Sequence, residues 1–169
     1  MTDPTTNEIP ALPIDSDAPA NEVHDGTPRA VHLRPSSLGL VAVGGTLGTA
    51  AREALSLAIP PINGIPIAIF GINVLGAFLL GVLLDALVRR GEDHGLRRNL
   101  RLLLGTGLLG GFTTYSALAT DTAALLGGGT PGIAVLYSLA TVLIGAAATW
   151  VGIASSSAQH RRLRGEVAR

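Results

Sequence analysis

The chain has no cysteine and no lysine, and it is poor in aromatic residues, with one Trp, two Tyr and three Phe among 169 residues. Without cysteine there can be no disulfide, no thiolate metal ligand and no cysteine nucleophile, and the redox compartment stays undetermined. Charged residues make up only 14% of the chain, where a soluble domain carries about a quarter. The formal net charge is zero, which removes the electrostatic case for a nucleic-acid partner. All four histidines (His24, His32, His94, His160) lie outside the apolar stretches, which argues against a haem or a histidine-ligated metal within them. No nucleophile–base pair falls in those stretches either, so the chain is not expected to be an enzyme.

What the chain does have is apolar length. Between residues 36 and 88 the only ionisable side chains are Arg52, Glu53 and Asp85. Between residues 102 and 158 there is only Asp121, apart from the tyrosine hydroxyls. Such stretches read as membrane spans, and four are expected, at about residues 36–59, 64–88, 99–126 and 131–154. Pro60-Pro61 closes the first, Arg89-Arg90 the second and Gly127-Gly128-Gly129 the third, while Pro131 suits the first turn of the fourth and Trp150 an interfacial anchor. The expected organisation is an N-terminal tail over 1–35, a four-helix membrane domain over 36–155 and a basic C-terminal tail over 156–169. The N-terminal tail is rich in Pro, Asp, Glu, Thr and Asn and is expected to be disordered, because it has too little apolar surface to offset its ordering entropy. It also lacks the basic start and apolar core of a signal peptide.

Charge placement predicts the topology. Of the twelve arginines, Arg29 and Arg34 precede the first span, five (Arg89, Arg90, Arg97, Arg98, Arg101) lie between the second and third, and four (Arg161, Arg162, Arg164, Arg169) follow the fourth. Only Arg52 departs from this face. The positive-inside bias therefore predicts both termini in the cytoplasm of a multi-pass protein of the cell membrane.

Four polar constellations interrupt the apolar runs. The first is Gly44-Gly45-Thr-Leu-Gly48 followed by Arg52. Glycines four apart let helix backbones approach closely, and Arg52 reads either as a snorkelling partner of Glu53 or as a fixed positive charge that draws anions into a vestibule. The second is Gly71-Ile-Asn73-Val-Leu-Gly76, with Gly81 beyond. A buried asparagine commonly bonds a neighbouring helix, yet its amide also offers two donors to an anion. The third is the dense stretch from Gly105 to Ser116, containing Gly110-Gly-Phe-Thr-Thr-Tyr-Ser116, with Asp121 after it. It reads either as close packing through small residues or as a broken helix that frees main-chain groups to hold an ion. The fourth is Tyr137 with Thr141 one turn later, which by default are packing hydroxyls and, aligned with Asn73 and Ser116, would line a narrow polar track.

Taken in order and spacing, these parts resemble the CrcB/Fluc family of fluoride channels over about residues 36–155. The specific elements are the Gly-Gly…Gly…Arg of the first span, the Asn-x-x-Gly-x-x-x-x-Gly of the second (Asn73, Gly76, Gly81) and the Gly-Gly-x-Thr-Thr-aromatic-Ser of the third. The resemblance implies an all-α membrane protein of four transmembrane helices, the third broken near its middle, assembled as an antiparallel dimer with two fluoride pores and a central structural sodium ion. Main-chain carbonyls of Gly110 and Thr113 would hold the sodium. Asn73, Tyr115, Ser116, Tyr137 and Thr141 map to the pore, Arg52 to the vestibule, and Asp121 to a position where the family usually has glutamate. Hydroxyl, amide and aromatic-edge donors replace part of the hydration of fluoride, an acceptor whose desolvation is costly.

The chain departs from the family's Phe-Ser-x-Phe pattern, having Tyr115 and Leu118 at the two aromatic positions. That implies either one degenerate pore or a ring supplied by a partner subunit. The one-sided arginines also imply a single orientation, hence a heterodimer with a homologous chain inserted the other way, with a homodimer as the alternative. Two other function classes fit the residues less well. A four-helix proton-coupled drug exporter needs an embedded carboxylate, and the first span offers only Glu53 near its end. A non-conducting structural subunit would leave ion flux indifferent to Asn73→Asp.

Overall fold

Helix boundaries follow from the residues that cannot continue a helix. The structure, a computed structural model, describes residues 34–91, 93 and 95–167; the expectation of a disordered tail over 1–35 lies almost wholly outside them. Helix α1 (Pro35–Ala58) opens on a proline, whose missing N–H costs nothing in a first turn. It ends at Ile59, pushed to extended backbone by the proline that follows. A tight Asn63-Gly64 turn, both residues with positive φ, brings Ile62 and Ile65 into mutual hydrogen bonding and leads into α2 (Ile67–Val88).

The third segment is one interrupted rod. Its first part, α3, comprises Leu96–Leu100, a π-wound stretch Arg101–Leu109 and a last turn Gly110–Phe112. Thr113 and Thr114 are extended, and α4 (Tyr115–Gly127) follows. Helix α5 (Pro131–Val167) is a single element of 37 residues. It runs past the expected end near Ala154 because no proline or glycine pair stops it, and at about 1.5 Å per residue it reaches about 55 Å, well beyond the roughly 30 Å of hydrocarbon.

The fold is therefore all helical, with four helices when α3 and α4 count as one broken helix. Among the described residues three of them, Ile67–Val88, Leu96–Gly127 and Pro131–Arg161, are long and apolar enough to cross a membrane by length and composition. The first expected span is helical as well, but it is less apolar than the other three. Helix α1, at 24 residues, has the length, but its glycines, alanines and hydroxyl residues, with Arg52 and Glu53, dilute its apolarity.

Those small residues serve packing. In lipid there is no hydrophobic drive to hold helices together, so contact depends on close backbone approach. Helix α1 lies along α3, and α2 along α5. Gly44 and Gly48 face the main chain of α3, where a methyl on Gly44 would lie 2.8 Å from the Leu108 nitrogen. From the other side, Gly107 and Gly111 meet the main chain around Gly44 and Gly45. Gly81 of α2 meets the Thr149 carbonyl, and Gly152 of α5 meets the Phe78 carbonyl. The buried apolar cluster is small, formed by Ile69, Ile72 and Phe112 with Ala117 against it.

A polar clip closes the arginine-rich end of the α2–α5 pair. Arg89 donates from Nε to Asp85 (2.7 Å) and from Nη2 to the Ser157 hydroxyl (2.6 Å). The hydrogen bond with Asp85 raises the Arg89 pKa above its ordinary value. Because Arg89 is exposed, Arg89→Ala should lower the melting temperature only slightly, the difference should shrink in high salt, and ion flux should not change. Melting curves at two salt concentrations check this.

Candidate functional site

The break at Thr113-Thr114 lies just past the middle of the Leu96–Gly127 span, and side chains from two other helices hold it. A helix interrupted at that depth leaves amides and carbonyls without helical partners, which hydrocarbon does not tolerate. Asn73 of α2 answers two of them. Its Oδ1 accepts from the Thr114 amide at 2.8 Å, and its Nδ2 donates to the Thr114 carbonyl at 3.1 Å. Thr114 is also the N-cap of α4, with its hydroxyl accepting from the Ala117 amide at 3.2 Å and lying 3.1 Å from the Ser116 hydroxyl. From α1, Thr49 Oγ1 and Arg52 Nε each donate to the Gly111 carbonyl at 3.4 Å.

These diversions bear on cation binding. In an unbroken helix the Gly110 carbonyl would accept from the Thr114 amide, and the Thr113 carbonyl from the Ala117 amide. Both amides instead bond to side chains, Asn73 and Thr114. Gly110 and Thr113 are thus two of the carbonyls beside the break whose helical donors bond elsewhere. Main-chain oxygens at an unwound segment are a donor set suited to a hard monovalent cation such as sodium.

Tyr137 and Thr141 form a second group. Tyr137 is buried on α5, and its hydroxyl lies 3.3 Å from Asp121 Oδ2 and 3.4 Å from the Pro66 carbonyl. Thr141 is also buried, and its hydroxyl is given to the Tyr137 carbonyl at 2.7 Å, the back-bonded arrangement of a packing threonine. Tyr115 and Ser116 are exposed at the start of α4, whereas Leu118 is buried. The two positions where the family has phenylalanine therefore differ in exposure, Tyr115 at 81% and Leu118 at 7%.

Two contributors escaped the sequence reading. Thr114 is both the cap of α4 and the partner of Asn73; a threonine just before an apolar helical run is a recognisable cap signal. The other is Thr49. Nothing in its sequence context distinguishes it, because its partner is 62 residues away.

Apolar helices gathered around an interrupted helix, its main-chain groups managed by side chains at depth, define a membrane protein built to hold or pass ions. Residues 39–153 match the family described as CrcB-like protein, Camphor Resistance (CrcB), and the chain belongs to it. Among curated relatives, it is 55% identical over 128 residues to Fluoride-specific ion channel FluC 2 of Leifsonia xyli subsp. xyli, covering 76% of this chain and 88% of that protein. It is 46% identical over 123 residues to Fluoride-specific ion channel FluC 1 of Cutibacterium acnes, covering 72% and 86%. It is 40% identical over 122 residues to Fluoride-specific ion channel FluC of Novosphingobium aromaticivorans, covering 70% and 94%.

Proposed function

We propose that this protein is a fluoride-specific ion channel of the cell membrane, a conduit rather than an enzyme, through which cytoplasmic fluoride leaves passively. The observation that carries the reading is the broken helix clasped by Asn73 and Arg52 in a chain 55% identical to a fluoride channel. Fluoride enters cells as neutral HF and dissociates near neutral pH; an interior-negative potential then favours exit of the anion by about 2.3 kcal/mol per 100 mV.

In this reading Asn73, Tyr115, Ser116, Tyr137 and Thr141 contribute the pore. Asn73 has one amide hydrogen beyond the bond to Thr114, and the exposed ring of Tyr115 offers an aromatic edge at a subunit boundary. Arg52 supplies positive charge on the approach. A structural sodium ion, held by the Gly110 and Thr113 carbonyls, would supply fixed positive charge beside the break. The four helices all cross the membrane, with both termini cytoplasmic. The channel is an antiparallel dimer, and the one-sided arginines favour a homologous partner over a second copy.

The test is fluoride efflux from proteoliposomes, read with a fluoride electrode against chloride as control. Fluoride efflux without chloride efflux is expected, and efflux of neither ion, or of both equally, would refute the channel reading. For the heterodimer, the chain expressed alone is expected to give little flux. Strong flux from the chain alone, with termini labelled on both faces, removes the need for a partner.

A further inference from the structure

Arg52 does more than place a positive charge on the approach. Its side chain is 21% exposed against 60% for Glu53, and the two charged groups come no nearer than 3.9 Å. The guanidinium instead lies against the break, where its Nε, together with the Thr49 hydroxyl three residues earlier, bonds the Gly111 carbonyl. That carbonyl belongs to the last turn of α3, which carries the negative pole of the helix, so a cation there is doubly favoured. The geometry mirrors the other flank, where Asn73 holds the amide and carbonyl of Thr114. The two clasps come from different helices and bracket the break.

We infer that Arg52, assisted by Thr49, is a positioning residue. It holds the Gly111 carbonyl to α1, and so keeps that oxygen out of competition with those of Gly110 and Thr113 while fixing the angle at which α3 gives way to α4. The inference deepens the channel reading and rests on the break being the ion site. It gives Arg52 a role that depends on where the donor atom lies along the side chain as well as on its charge. In lysine the atom at the place of Nε is a methylene, which cannot donate, and the ammonium lies beyond it.

Three variants of the full-length channel separate these roles: Arg52→Lys, Arg52→Gln and Thr49→Val. Each is assayed for fluoride efflux at low and high ionic strength and for the rise in melting temperature when sodium replaces a large organic cation. Loss of a charge-assisted hydrogen bond should cost Arg52→Lys and Arg52→Gln alike about tenfold or more in efflux. The deficit should be the same at both salt concentrations, and the sodium-dependent rise in melting temperature should shrink in both. Thr49→Val, which keeps shape and charge, should lose about threefold.

Wild-type efflux in Arg52→Lys with loss only in Arg52→Gln, fading in high salt, would mark an entrance charge and overturn the proposal. So would unchanged efflux and an unchanged sodium response in all three. If the Arg52 variants do not assemble, Thr49→Val decides, and unaltered efflux in it counts against the clasp. The wild-type response to sodium is the separate control: its absence removes the sodium reading and leaves the efflux comparison to judge Arg52.

Discussion

Asn73→Ala should reduce fluoride efflux by roughly a hundredfold or more, since it strands two main-chain groups at about 1–3 kcal/mol each and every 1.4 kcal/mol is a factor of ten. The stranded groups are the Thr114 amide and carbonyl, and neither has water at that depth to turn to. The amide could escape that cost only by returning to the Gly110 carbonyl, which would partly heal the helix and close the gap that the proposed ion path needs. Asn73→Asp makes a sharper companion. A carboxylate still accepts from the Thr114 amide but cannot donate to its carbonyl, and it sets a negative charge in the path of an anion. Efflux should therefore fall in Asn73→Asp at least as far as in Asn73→Ala, while the protein should melt closer to wild type than the alanine variant does. Proteoliposome efflux and melting curves measure the two effects independently. Efflux near wild type in both variants would exclude Asn73 from the conducting path.

The second large effect is structural. Gly48→Ala should lose most of the monodisperse protein, because the added methyl would fall on the Leu108 carbonyl and 2.8 Å from the Phe112 amide nitrogen. Overpacking a tight interface costs about 1–3 kcal/mol, and more when the obstacle is main chain that cannot swing aside. Gly39→Ala on the same helix is the control: nothing lies within 4 Å of a methyl there, so it should be neutral or slightly stabilising through helix propensity. Size-exclusion profiles and melting temperatures of the pair check the prediction. Equal stability would mean that α1 and α3 are not packed as closely as glycine-to-backbone contact requires. The consequence reaches the site, since Thr49 and Arg52 touch the break only if Gly44 and Gly48 let α1 come within reach of α3.

Much of the fold could be read from the residues themselves. Apolar length between charge clusters located the helices, and Pro60, Pro61, Pro131 and the glycine run at 127–129 placed most of their ends. The crowding of glycine and threonine from Gly105 to Ser116 left close packing and a helix break both open, and the structure has the break. Three things were not legible. The first is the π-winding of Arg101–Leu109, which carries no local signature. The second is the continuation of α5 to Val167, because hydropathy falls at Ser155 while helix propensity does not. The third is what each polar side chain bonds to: Asn73 could be read as an anion donor or as interhelical glue, and Arg52 as a vestibule charge or a snorkelling side chain.

The sequence by itself determined that this protein is a helical bundle for a membrane and which family it belongs to, and through that family it implied an interrupted third helix. These properties follow from hydropathy, from breakers and from motif order, all of which act along the chain. Only the tertiary structure decided that Asn73 clasps Thr114, that Arg52 and Thr49 clasp Gly111, and that Tyr115 is exposed while Leu118 is buried. The clasps join residues 41 to 62 positions apart. Such partners are chosen by how closely glycine faces let two backbones approach, and that distance exists only once the helices are packed.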